Sequence, residues 1–260
     1  MWKFDTFYIG IHTENRLMMQ NHQFFLLDLI LLGGIRTCNI NLNHSLDYKT
    51  TNGDQALLKT IIKMKVYIKC IENEYINMEE ALATSDNIYA IKMHQELGYK
   101  TLANHLRKYN INTKAIPTLA LGNVGMSLYD LVKIYTQFFT DGYYINPKYI
   151  KSITINNKTV HKTSINKKMY GNKQPYIDIK NMLASTFNTS IKHSTCSNIT
   201  YRLNTKCYAK TGTTDYDAYM IGFNDDILVG AWVGYLDNQP LIDNSIKKMP
   251  KEIFIEYINN

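Results

Sequence analysis

The chain has 260 residues, a formal net charge of +7 and a sequence pI near 9.0, with 45% apolar and 20% charged residues. That length holds one sizeable domain or two small ones, and the composition is ordinary for a globular chain. The positive balance suits anionic surroundings such as phosphates, a membrane face or an acidic wall polymer without choosing among them, and it reads equally well as solvated lysine surface.

Four cysteines, Cys38, Cys70, Cys196 and Cys207, lie far apart with no C-x-x-C pair. That spacing argues against a zinc site, a dithiol redox motif and a disulfide framework. The histidines show no H-E-x-x-H spacing; His94 and His105 stand eleven positions apart, which is not one turn of one helix, so both read as ordinary core or surface residues. No metal or other cofactor is expected. The most apolar run, "FFLLDLILLGGI" from Phe24, is too short for a bilayer span and carries Asp28 in its middle. It also lacks the basic start and small-residue cleavage site of a signal peptide, so no export signal or membrane segment is expected in this chain.

From Met1 to about Tyr75 apolar residues settle into no period, and turn signals such as Gly33-Gly34 and Asn52-Gly53 fall without evident elements between them. From Asn77 the texture changes. Asn77 with Glu80 three residues later makes a capping box for a short helix over "MEEALAT", and Ile76 is placed to pack back on its first turn. After "SDN" a second helix starts at Ile88, with Ile91 and Leu97 among its apolar positions and Gly98 as its left-handed stop. A third, "TLANHLRKY", carries Leu102, Leu106 and Tyr109.

"IPTLALGNVG" reads as an extended connector with turns at Gly122 and Gly125. Ser127 with Asp130 then caps an amphipathic helix, "LYDLVKIYTQFF", whose Leu131, Val132, Tyr135, Phe138 and Phe139 form one stripe before Asp141-Gly142 ends it. The stripe reads as core. A polar region follows with strand-like patches, "YIKSITI" the clearest, and then "IDIKNMLASTFN" looks helical again.

Beyond Thr200 the texture is β. "DAYMIGFNDDILVGAWVGYL" is two apolar runs around Asn224-Asp225-Asp226, a hairpin signal, and the chain closes on "MPKEIFIEYINN", an amphipathic helix opened by Pro250. Helices first, then antiparallel strands with a terminal helix, predict an α+β fold. No internal repeat is visible.

One stretch carries chemistry. In "YAKTGTTDY" Lys210 offers a fixed ammonium at the head of a strand, and the Thr211 hydroxyl stands beside it. Gly212 removes a side chain where another backbone must approach, and Thr213 and Thr214 supply further hydroxyls and N–H groups. Such an edge can take a peptide as one more strand, with the lysine and threonines drawing a terminal carboxylate. The triplet K-T-G alone is weakly specific, and S-x-N is weaker, occurring as Ser85-Asp86-Asn87 and as Ser164-Ile165-Asn166. Only the first falls between two helices.

S-x-x-K, S-D-N and K-T-G occur together in class A β-lactamases and penicillin-binding proteins. The segments "NMEEALATSDNIYAIKMHQELG", "PTLALGNVGMSLYDLVKIYTQF" and "YAKTGTTDYDAYMIGFNDDILVGAWVGY", in this order, resemble the transpeptidase domain of class A, bifunctional penicillin-binding proteins from about Ile76 to the C-terminus. The resemblance implies a β-lactamase-like fold, an antiparallel sheet backed by the terminal helix beside a helical subdomain, with the cleft between them. It also implies acyl transfer on D-Ala-D-Ala stem peptides, which cross-links peptidoglycan in cell-wall biosynthesis, and acylation by β-lactams. Stem peptides and β-lactams are thus the expected partners, with no nucleic acid. In that frame Ser85 relays protons, Asn87 holds the substrate amide and Lys210 sets the local field. Thr211 and Thr213 bind carboxylate across Gly212, and the Thr213 N–H supplies half of an oxyanion hole. The family works on the extracytoplasmic face of the cell membrane.

The family's nucleophile is the serine of an S-x-x-K placed well before S-x-N. Here only Ser164 with Lys167 and Ser245 with Lys248 have the spacing, both after Ser85 and in polar surroundings; Thr60-Ile61-Ile62-Lys63 has the right order but a threonine. Residues 1–75 therefore read as an unassigned, truncated or frame-disturbed remnant, and 76–260 as the transpeptidase-like domain. If the first 75 residues give the sheet no strands, an apolar face stays wet. Two further readings are a serine β-lactamase-like hydrolase, for which no deacylating loop is recognisable, and a non-catalytic module that binds stem peptides or β-lactams without turnover.

Overall fold

A computed structural model describes residues 8–9, 48–49, 75–235, 237 and 239–260. Cys38, Cys70, the apolar run from Phe24, the Gly33-Gly34 and Asn52-Gly53 turns and Thr60–Lys63 lie outside the described residues. The order is β1 (Tyr8–Ile9), β2 (Tyr48–Lys49), β3 (Tyr75–Ile76), α1 (Met78–Thr84), α2 (Asn87–Leu97), α3 (Tyr99–Arg107) and α4 (Leu128–Phe139). Then come β4 (Tyr143–Ile145), β5 (Ser152–Ile155), β6 (Lys158–Lys162), β7 (Lys167–Met169), α5 (Gln174–Ala184), β8 (Tyr208–Thr213), β9 (Asp217–Phe223), β10 (Leu228–Gly234) and α6 (Met249–Ile258).

The main sheet runs β1-β10-β9-β8, with β8, β9 and β10 antiparallel and β1 added parallel to β10 at Gly230 and Ala231. The first 75 residues thus give the sheet a neighbour on the β10 side. They also pair β2 antiparallel with β3, at the entrance to α1. β8 is the opposite margin, with no strand on its outer side among the described residues.

All seven residues of β9 are buried because both faces of the sheet are covered. Tyr219, Ile221 and Phe223 pack with Tyr208 and Leu228 into the core shared with α1, α2, α4 and α5. On the opposite face Ala209, Met220 and Val229 meet Phe254, Ile255 and Ile258 of α6. Gly222 faces Ala209 across the strands so closely that a Cβ there would lie 2.4 Å from the Ala209 Cβ and 2.6 Å from the Tyr208 carbonyl oxygen. The glycine is what lets β8 lie at this spacing.

The helices begin where capping chemistry puts them. Asn77 accepts from the Glu80 N–H at 2.9 Å while the Glu80 carboxylate accepts from the Asn77 N–H at 3.1 Å, a complete capping box. Ser127 accepts from the Asp130 N–H at 3.1 Å and starts α4, whose Leu131, Val132, Tyr135 and Phe138 are buried and whose Phe139 is partly so. Gly98 has φ +79° but ψ +132°, so it ends α2 without a left-handed cap and leads directly into α3.

The connector expected to be extended is not. Pro117–Leu121 form a 3-10 turn in which the Leu119 N–H donates to Ile116 at 3.0 Å and Gly122 closes the end left-handed at φ +82°. Burial of Leu119, Ala120 and Leu121 against α2 and α3 drives that compaction. The predicted "YIKSITI" strand becomes β5, one arm of a two-stranded hairpin with β6 whose residues are all exposed.

Candidate functional site

The three residues Ser85-Asp86-Asn87 form the junction between α1 and α2, and each has a backbone task there. Ser85 caps α1 in the left-handed region, φ +62° and ψ +49°, its N–H donating back to Leu82 at 3.3 Å. A side chain in that region is strained by about 1–2 kcal/mol relative to glycine, and such strain gathers at functional sites. Asp86 turns the chain: its N–H donates to Ala81 at 2.9 Å and its carboxylate caps α2 by accepting from the Tyr89 N–H at 2.8 Å. Asn87 opens α2 and is buried. This junction holds the Ser85 hydroxyl at a fixed place at the end of a helix.

Lys210 comes to it from the sheet. It is 4% exposed, and its ammonium donates to the Ser85 Oγ and, at 2.9 Å, to the Thr211 carbonyl oxygen of its own strand. The two residues are 125 positions apart in sequence, so the contact is a product of the fold. Behind it lies Cys196, fully buried and free, its thiol pushed up by burial and drawn partly back by the ammoniums of Lys251 and Lys210.

The open margin of β8 can be read from its ladder. The Thr214 N–H donates to Asp217 at 2.8 Å, closing the turn into β9. Counting back through the alternation of an antiparallel pair, Lys210 and Gly212 bond with Ile221 and Tyr219, while Ala209, Thr211 and Thr213 turn their N–H and carbonyl groups outward. Two of those outward carbonyls are already engaged, Ala209 by the Thr186 hydroxyl at 3.1 Å and Thr211 by Lys210. The N–H groups of Thr211 and Thr213 face the side where an added strand would lie.

Thr211 and Thr213 also line a cavity of about 350 Å³, together with His193, Thr195, Lys247, Lys248 and Lys251. Thr195 ties its wall to the Ser85 corner, donating to the Ala83 carbonyl through its N–H at 2.9 Å and its hydroxyl at 3.1 Å. Lys251 braces the other side, its ammonium donating to the Thr195 carbonyl at 2.6 Å and to Asn198 Oδ1 at 2.9 Å; burial holds it below the ordinary lysine range.

Of the six residues singled out from the sequence, Ser85 and Lys210 are thus in direct contact and Thr211, Gly212 and Thr213 follow on the same margin. Asn87 stands two residues beyond Ser85. The 193–195 loop and the lysines before α6 were not foreseen: "KKMPK" was visible as a charge run, which by itself reads as solvated surface. Of the other serine–lysine spacings, only that of Ser245 with Lys248 brings a residue, Lys248, to the cavity. Ser164 and Lys167 are exposed around the β6–β7 turn, as is the second S-x-N, and the Ser245 hydroxyl is engaged by Asp243 at 2.7 Å. His94 is a core residue between the carbonyls of Pro117 and Tyr99, and burial lowers its pKa. Among the described residues no group of three or more His, Cys, Asp or Glu side chains could hold a metal ion, and no helix is long and apolar enough to cross a membrane.

The chain has relatives among known proteins. The family model described as the penicillin binding protein transpeptidase domain matches residues 43–241, a span that begins upstream of Ile76. The chain is 31% identical over 199 residues to penicillin-binding protein 2D of Bacillus subtilis, covering 72% of this chain and 28% of that protein. It is 27% identical over 171 residues to penicillin-binding protein 1A of Aquifex aeolicus, covering 63% of this chain and 23% of that one. The chain therefore spans about a quarter of the length of these relatives. Its fold superposes on the crystal structure of penicillin-binding protein 1A from Haemophilus influenzae with a TM-score of 0.70 at 17% identity, over 92% of this chain and 42% of that one. It superposes on an imipenem acyl-enzyme complex of penicillin-binding protein A from M. tuberculosis with a TM-score of 0.67 at 10% identity, over 95% of this chain and 62% of that one.

Proposed function

This chain belongs to the penicillin-binding protein transpeptidase family, and from that premise we propose that residues 76–260 carry its recognition site for D-Ala-D-Ala stem peptides and β-lactams at the β8 margin. The observation that carries the reading is the hydrogen bond from buried Lys210 to Ser85, which joins the strand that would bind a peptide to the helix junction that would act on it.

In this reading the ligand lies along β8 and hydrogen-bonds the outward N–H groups of Thr211 and Thr213. Gly212, lacking a side chain, lets its backbone come close. The Thr211 and Thr213 hydroxyls take the terminal carboxylate, and the Thr213 N–H faces the carbonyl oxygen of the scissile bond, where it stabilises developing negative charge. The ammonium of Lys210 holds the Ser85 hydroxyl oriented as an acceptor from its own side and as a donor toward the ligand, the arrangement a proton relay to a leaving amine needs. Asn87 holds the substrate amide.

The reaction of the family also needs a base-activated hydroxyl to attack the D-Ala-D-Ala carbonyl. No serine before Ser85 in this sequence has a lysine three residues on, so in this reading the recognition residues act without that pair. The function we assign is therefore binding of these ligands without acyl transfer by this chain, on the extracytoplasmic face where stem peptides are found. Incubation with a fluorescent penicillin followed by denaturation tests it. Reversible binding without a denaturation-resistant adduct is expected. An adduct would overturn the assignment, and mapping the labelled residue would name the nucleophile.

A further inference from the structure

We propose that Lys247 and Lys248, on the turn that leads into α6, form a second cationic shell for the carboxylate of the ligand, making the cavity beyond Thr211 and Thr213 an anion pocket. The inference rests on the reading of β8 as the ligand-binding margin.

β8 presents two different faces. Side chains alternate along a strand. Tyr208 and the β9 partners of Lys210 and Gly212, Ile221 and Tyr219, belong to the core shared with the helical layer. Ala209 and Met220, which pairs with Thr211, belong to the core under α6. The Lys210 ammonium therefore emerges on one face, where Ser85 and the Thr211 carbonyl hold it, whereas the Thr211 and Thr213 hydroxyls emerge on the other. An anion taken by those hydroxyls sits in the cavity, which Thr211 and Thr213 line from that face and Tyr219 from the neighbouring strand.

The cavity is built for a negative charge. Three lysines and His193 line it, and no acidic side chain does. Lys251 is partly buried and is engaged by the Thr195 carbonyl and Asn198. Lys247 is partly buried and Lys248 exposed, and neither forms an ion pair with an acidic residue among the described residues. Burial above all, and the neighbouring Lys248 ammonium with it, lowers the Lys251 pKa, so the two ammoniums repel each other. A carboxylate of about five heavy atoms with its α-carbon and methyl fits within about 350 Å³ and would relieve that repulsion while accepting from both threonine hydroxyls.

The test uses N-acetyl-D-alanine, which carries the terminal carboxylate, and its C-terminal amide, which does not, titrated into the isotope-labelled full chain with the Thr211 and Thr213 amide resonances as the readout. Saturable shifts with the acid and not with the amide are expected. The Lys247→Gln/Lys248→Gln variant should bind the acid about tenfold more weakly, as expected for losing charge-assisted contacts at a partly exposed site. A control variant, Lys158→Gln/Lys162→Gln on the exposed hairpin, carries the same change in net charge and should bind as the parent does. Equal affinity in the two double variants, or no shift at Thr211 and Thr213, overturns the proposal. The underlying reading fails separately: acid that binds through Lys247 and Lys248 while neither a penicillin nor a D-Ala-D-Ala peptide binds leaves the anion pocket standing without its proposed ligand.

Discussion

Ser85 carries two loads that substitution can separate. Its hydroxyl accepts from a buried ammonium, and its backbone is held left-handed at φ +62°. Ser85→Ala removes the acceptor and keeps the strain. A hydrogen bond to a charged group contributes about 1.5–3 kcal/mol, and because Ser85 is only half-buried the lower end applies, about 1.5–2 kcal/mol of lost stability. Ser85→Gly loses the same bond but relieves about 1–2 kcal/mol of left-handed strain. About 0.5–1 kcal/mol of that is offset by the greater freedom of glycine in the unfolded chain. Glycine should therefore exceed alanine in stability by about 0.5–1 kcal/mol. With a urea dependence of about 2 kcal/mol per molar, the glycine variant unfolds at a midpoint about 0.25–0.5 M higher than the alanine variant. Both should lose ligand binding to a similar degree, since neither offers Lys210 a hydroxyl. Alanine equal to or more stable than glycine would refute the left-handed cap, and undiminished binding in both would remove Ser85 from the site.

Gly222→Ala should lower stability by about 1–3 kcal/mol or more and weaken ligand binding together, because the added methyl meets the backbone and Cβ of Ala209 and pushes β8 off its register; a urea midpoint within 0.2 M of the parent, roughly 0.4 kcal/mol, would contradict it. His94 is held neutral by burial, with a pKa below its ordinary value of 6.5. Folding therefore favours the uncharged form, the associated stability is present above about pH 6.5, and it is lost as pH falls through the lower folded-state value. Urea midpoints of the parent should drop between pH 7.5 and 5.5 by more than those of His94→Gln; parallel drops would show that other groups set the slope. In the anion pocket, the acid-against-amide titration already described should separate Lys247 and Lys248 from the exposed lysines of the β5–β6 hairpin.

How much of this could be read in advance depended on whether the information was local. α4 was legible to the residue because Ser127, Asp130 and a continuous apolar stripe specify it within twelve positions. The all-buried β9 and its turn into β10 were legible for the same reason, as an apolar run bounded by Asn224-Asp225-Asp226. "PTLALG" misled because a proline at its head fits an extended chain and a 3-10 turn alike; what decides is the burial of Leu119–Leu121 against helices formed elsewhere. The contact between Ser85 and Lys210 has no local signature at all, and only the family likeness of the flanking segments pointed to it. The anion pocket was illegible in a stronger sense. Its lysines lie on the turn before α6 and in the first turn of that helix, its hydroxyls on β8 and its wall on the 193–195 loop, and nothing in any one of these marks it as facing the others.

β8 and the Ser85 corner are proposed to act as one binding site, and equilibrium binding of an N-acylated D-Ala-D-Ala peptide tests that most directly. Titrated calorimetrically into the chain and into Lys210→Gln, the peptide should bind the parent saturably with one site and the variant at least about tenfold more weakly, since a buried ammonium at the centre of the site is gone. Peptide binding of equal strength to both proteins would contradict the account.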